Sequence, residues 1–195
     1  LMDGAPIYIP YHLLGIYSVY NTNTINAATL FKGHIPARYG GGLSSVFDVR
    51  IRDGDKYKWK ANTSFNLVNF DVLVEGPLKK GKGSLLFAGR SSHSDALFAP
   101  VLKRYYFQSR TGPLTSGFSD LNIKLNYTLG KKDRIYASFF TGSDDFYKEA
   151  EFDENAIMSE SEVIFGWSNQ IGALRWNHLF NDKLFLNTTL TYSLN

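Results

Sequence analysis

Hydrophobic and polar positions alternate with period two over most of the chain, and this alternation predicts its elements. Tyr57, Trp59, Ala61, Thr63 and Phe65 alternate with Lys58, Lys60, Asn62, Ser64 and Asn66, the pattern of a strand with one oily and one wet face. Phe70, Val72, Val74 and Gly76 likewise oppose Asp71, Leu73 and Glu75. A strand over Ser84 to Ser92 has Leu85 and Leu86 adjacent, and Arg90 assigns the Leu86 row to the wet side. The clearest strand sets Leu121, Ile123, Leu125, Tyr127 and Leu129 against Asn122, Lys124, Asn126 and Thr128. Oily rows at Ile135, Ala137 and Phe139, at Gly172, Leu174 and Trp176, and at Leu184, Leu186, Leu190 and Tyr192 complete the series.

The connections sort into two kinds. "KKGKG" (Lys79 to Gly83), "GKKD" (Gly130 to Asp133) and "FNDK" (Phe180 to Lys183) are short polar turns at one end. At the other end two of three connections read as long: Ser92 to Gly117, with a helical turn in "DALFAPVLKRYY", and the acidic stretch Asp144 to Glu162, read as a solvated loop. Short turns on one side, long loops on the other and strands of roughly 9 to 11 residues are the pattern of bacterial outer-membrane barrels. No apolar run approaches the roughly 20 residues of a spanning helix, so a helical membrane protein is excluded; Ala96 to Leu102 is interrupted by Pro100.

The first 55 residues read differently. Asp3-Gly4 breaks an opening strand as a turn pair, and His12 to Tyr20 reads as a short helix with Leu13, Leu14 and Tyr17 inward. Thr29 to Phe31 is a short strand running into Lys32-Gly33; Gly40 to Gly42 predict a tight loop before a strand over Val46 to Ile51. The glycines do not form a phosphate loop, because Leu43 and Ser44 follow where Lys and Ser/Thr are needed. Nor is Ser44 a nucleophile elbow, since Val46 stands where that turn needs glycine.

Composition sharpens the picture at two points. The chain carries 12 Tyr, 15 Phe and 3 Trp, a load that suits strands and membrane interfaces. Cysteine is absent, so no disulfide framework or thiolate metal site is possible. With a net charge of +3, basic and acidic residues nearly balance, and "LKRYY" (Leu102 to Tyr106) is not a nucleic-acid patch. His12, His34, His93 and His178 lie on separate segments without the spacing of a metal pair, and the acidic stretch lacks the spacing and glycine of a calcium loop. No Ser/His/Asp grouping emerges, so no catalytic centre, metal or cofactor is expected.

The order "LMDGAPIY", "NTNTINAATLFKG", "ARYGGGLSSVFDVRIRDG" resembles the C-terminal half of the plug of TonB-dependent outer-membrane receptors. "VEGPL", "RIYASFFTG" and "LRWNHLFNDKLFLNTTLTY" are similar to the early barrel strands of that family. The family's acidic residue before the "hydrophobic-x-Lys/Arg-Gly" step is replaced here by Asn26-Ala27-Ala28. The resemblance implies an internal fragment of an all-β membrane protein: the C-terminal part of a mixed α+β plug over 1–55, then about seven antiparallel strands over 56–195 of a transmembrane barrel that has 22 strands in the family. It further implies the outer membrane of a Gram-negative bacterium and active import of an unidentified ligand. The partners would be TonB, gripping a segment upstream of Leu1, the surrounding lipid, and a surface lipoprotein or larger outer-membrane complex.

By the same resemblance, Tyr39 of the Tyr39-Gly40 pair, with Arg38, is a candidate ligand contact at the outward tip of the plug, and Tyr8, Tyr11 and His12 form a second. Asp48, Arg50 and Arg52 share one face of the last plug strand, and Asp71 and Glu75 share the wet face of the second barrel strand. Buried charges need partners, so Arg50 or Arg52 is expected to pair with Asp71 or Glu75. Two rival readings are a receptor-like barrel serving as a structural or partner subunit of a larger complex, and a soluble all-β binding module.

Overall fold

The computed structural model describes residues 1–40, 45–93, 114–154 and 157–195, with side chains described at all of these except 114–115 and 148–163. The second and third glycines of Gly40 to Gly42, and the expected helical turn in "DALFAPVLKRYY", lie outside the described residues.

The dominant element is an antiparallel seven-stranded sheet whose spatial order follows the chain. Its strands are β5 (Lys60–Phe65), β6 (Asn69–Lys79), β7 (Gly83–Ser92), β8 (Leu114–Thr128), β9 (Asp133–Glu154), β10 (Ile157–Asn181) and β11 (Leu184–Leu194). Sequence alternation decides the two faces. Asn69, Asp71, Leu73 and Glu75 of β6, Leu86, Ala88 and Arg90 of β7, and Asp120, Asn122, Lys124 and Asn126 of β8 are buried on one face. Phe70, Phe87, Phe139, Leu174, Leu186 and Leu190 stand exposed on the other. The sheet is thus inverted relative to a water-soluble one, with polar side chains covered and apolar ones bare.

What covers the polar face is the N-terminal segment, residues 1–53. It holds two small sheets, β1 (Tyr11–His12) with β2 (Tyr17–Ser18), and β3 (Ile25–Lys32) with β4 (Ser45–Ile51). Met2, Ala5, Val19, Tyr20, Val49 and Ile51 of this segment form one apolar cluster with Leu73, Leu86, Ala88, Phe140 and Ile171 of the sheet. That cluster is small and is ringed by charged contacts.

Three expectations are corrected. His12 to Tyr20 is a hairpin: Leu13 and Leu14 both take positive φ (50° and 57°), so the chain reverses in a 3-10 turn. Leu14 is consequently 64% exposed while Leu13 alone of the pair is buried. The first sheet strand begins at Lys60, because the Asp55 carboxylate accepts from the Tyr57 and Lys58 backbone N–H groups and holds residues 55–58 in a turn. The acidic stretch is a continuation of the sheet, since β9 and β10 pair without interruption from Asp133 with His178 to Glu154 with Ile157. The backbone ladder thus persists where the alternation of oily and polar residues in the sequence ends.

Candidate functional site

The site is the seam between the N-terminal segment and the polar face of the sheet. Cross-strand register lines up Asp71, Arg90, Asp120, Gly142 and Asn169 in one row across β6 to β10. Each of these positions serves the N-terminal segment. Asn21 Nδ2 donates to Asp71 Oδ1 at 3.3 Å, and Tyr17 donates its hydroxyl to neighbouring Asn69 at 2.6 Å. Arg90 spans the seam: its Nε donates to Asp120 Oδ2 at 2.9 Å and its Nη2 to the Ser18 and Val19 carbonyls. Asn169 is bonded to both the N–H and the carbonyl of Ile9.

His12 closes this row. It is 1% exposed, with Nε2 3.1 Å from Asp120 Oδ2 and Nδ1 2.7 Å from Asp144 Oδ2. Its ring stacks on Phe118 at 4.4 Å, and Asp144 also accepts from the Leu13 backbone N–H. Gly142 is small for a reason: a Cβ there would lie 2.9 Å from the Phe140 ring and 3.4 Å from His12 Cε1. Burial disfavours the imidazolium, but the two bonded carboxylates and their charges outweigh that cost and hold its pKa above the ordinary value.

Lower on the sheet the contacts are ion pairs. Arg52 Nη1 lies 2.6 Å from Glu75 Oε2, joining the two chain segments from which the sequence reading drew such a pair. Arg50 does not cross the seam; it is half exposed and lies 3.5 Å from Asp48 within its own segment. Asp71 is bonded by Asn21, Asn69 and Ser64, with neither arginine among these partners. Lys124 Nζ reaches Asp3 Oδ1 at 3.1 Å and the Ile51 carbonyl. Asp53 sits between Lys124 (3.9 Å) and Arg134 (3.7 Å).

The expected ligand contacts fall in two places. Tyr39 donates its hydroxyl to Asp48 at 2.9 Å and accepts from Arg38. With Arg38 it lines a cavity of about 480 Å³ shared with Arg175, Asn187 and Thr189. Arg175 pairs in register with Thr189, and Asn177 with Asn187, which sets this cavity against the middle of β11. Tyr8 and Tyr11 are exposed nearer the long-strand end, where Tyr11 meets Trp167 edge-on. His12, grouped with them by sequence proximity, is sealed in the seam. A second cavity of about 440 Å³ is lined by Arg50, Arg52, Lys124, Arg175, Asp3 and Asp53, among others.

Of the seam residues Arg90, Lys124, Asp120 and Asp144, alternation along the sequence puts the first two in wet rows without naming their partners and singles out neither of the others. A signal existed for the first three, since a charge in the middle of a regular strand must be covered or wet, and the wet rows had already been assigned. Asp144 carried no such signal. Among the described residues no cluster of His, Asp or Glu is arranged to hold a metal, and no helix is long and apolar enough to cross a membrane. Comparison with known proteins adds no identity: no family model matches the chain, and neither a curated protein nor a solved structure matches it.

Proposed function

We propose that the chain is the plug end and first strands of an outer-membrane barrel that imports a ligand in a TonB-dependent manner. One observation carries the reading: a sheet that bares its apolar face and seals its charged face beneath the preceding segment of the same chain. In water that arrangement would leave a broad apolar surface exposed. In a bilayer it is the arrangement required, with lipid outside and a polar lumen within. A segment packed into that lumen blocks it, so passage needs the segment to shift. The seam favours such a shift because its apolar cluster is small and most of its contacts are hydrogen bonds and ion pairs that water can replace.

In this reading the long-strand end, carrying Tyr8, Tyr11 and the acidic hairpin, faces outward, and Tyr39 stands at mid-height against the wall. Ligand contact on the outer side then falls to Tyr8 and Tyr11. Tyr39 instead braces the last plug strand through Asp48. The alternative is a receptor-like barrel that stands as a structural subunit; the buried His12, Asp120, Asp144 and Arg90 group, a costly thing to pull apart, is the observation favouring it.

Uptake by cells carrying the full-length protein, with and without the segment gripped by TonB, separates the two. Import abolished by that deletion supports the transporter. Normal assembly and cell function after it support the structural subunit.

A further inference from the structure

The three short turns carry Lys79, Lys80, Lys82, Lys131, Lys132 and Lys183, all exposed. Of their two acids, Asp133 is engaged by His178 Nδ1 at 2.6 Å and by Trp176 Nε1 at 2.9 Å, leaving Asp182 as the lone counter-charge in the turns. Immediately above the lysines, on the apolar face, lies a belt of aromatic rings. Trp59 lies over Gly76 and Tyr127 over Gly83, so closely that a Cβ at either glycine would collide with the ring. Trp176, His178 and Phe180 form a run of ring contacts beside them. The opposite end of the same sheet bears the acidic residues of β9 and β10.

We propose that the short-turn rim is a docking surface for anionic phospholipid, its lysines meeting the headgroup phosphates while the Trp59, Tyr127 and Trp176 belt sits at the acyl boundary. The proposal rests on the barrel reading above. Its own support is the spatial order of apolar face, aromatic ring and lysine. That is the order of hydrocarbon, interface and charged headgroup in a leaflet. Each lysine near an anionic surface contributes about a fivefold gain in binding, and a rim of six like charges is repelled by nothing on the lipid side if the leaflet is negative.

The test uses the full-length protein purified in neutral detergent, with native mass spectrometry of retained phosphatidylglycerol against phosphatidylcholine. The expected result is preferential retention of phosphatidylglycerol, weakened by salt and reduced at least about tenfold in the K80Q/K82Q/K131Q/K132Q variant. The matching four-arginine variant should retain it. Equal retention of the two lipids by the wild type, or no loss in the glutamine variant, overturns the proposal. So does displacement of the lipid by millimolar inorganic phosphate, which would mean a free-anion site. If the glutamine variant fails to fold, the salt dependence and lipid preference of the wild type still decide. Heat-modifiable migration of the wild type reports separately on the barrel reading: its loss removes that reading and this one together, whereas its presence with no lipid preference removes this one alone.

Discussion

His12 and Asp144 stand 132 residues apart in sequence and 2.7 Å apart in space, both almost wholly buried. With Asp120 on the other ring nitrogen, the imidazolium is the positive centre around which two carboxylates from β8 and β9 close. Replacing it by leucine leaves Asp144 without a cation. His12→Leu should weaken docking of the N-terminal hairpin by about 3 to 5 kcal/mol, as loss of one partner of a buried pair does. Hydrogen exchange at residues 11–18 in the full-length protein is the measurement; unchanged protection would contradict it.

The same pair gives a pH dependence with a definite sign. Because the folded pKa of His12 lies above its ordinary 6.5, the stabilisation is fully present below about pH 6.5 and is lost as pH rises through the folded value. Exchange protection of β1 and β2 should therefore fall as pH rises above about 6.5, and the fall should be absent in His12→Leu. A loss of protection on acidification above pH 5 would reverse the assignment.

Gly142 tests the packing around that ring. Gly142→Ala sets a methyl against Phe140 and His12 and should cost about 1 to 3 kcal/mol, the usual penalty of overpacking. The loss should appear at the hairpin rather than at the 130–133 turn. A thermal unfolding series with exchange read at both places distinguishes the two.

Facing can be tested on β11, where the N-terminal segment touches the inner row at Ser193 but leaves Thr191 exposed. Leu190→Arg places a charge on the apolar face and should impair membrane assembly by about 2 to 4 kcal/mol, whereas the adjacent Thr191→Arg, opening on the cavity side, should assemble. The comparison of Asn122 with Ile123 that the alternation alone suggests does not serve. Asn122 is only 2% exposed beneath the N-terminal segment, so arginine at either position would be rejected. Equal assembly of the two β11 variants would refute the facing.

Much of the sheet was legible because a period of two needs only local information. Arg90 settled the facing of β7 by being a charge with nowhere else to go, and Asn122 and Lys124 marked the covered row of β8. The Arg52 and Glu75 contact could be anticipated, since two charged rows on successive segments had few ways to be neutralised. The His12 site could not, because its partners lie on strands 108 and 132 residues away and a lone histidine carries no periodicity. The hairpin at Leu13 and Leu14 was hidden because leucine seldom takes positive φ. The partners of Tyr39, Asp48 and Arg38, were not legible because family likeness gives the order of motifs and not the way each loop folds back.

The most direct test of import through a moving plug is to ask whether the seam opens in living cells. Ala88 is fully buried on the inner face of β7, beneath the N-terminal segment, in a chain without cysteine. Ala88→Cys adds a small side chain that a membrane-impermeant maleimide reaches only when that segment moves. The account predicts labelling of the full-length variant in energised cells supplied with growth medium, and its loss when the proton gradient is collapsed or TonB is absent. Labelling that is the same with and without the gradient, or absent in both, would contradict it.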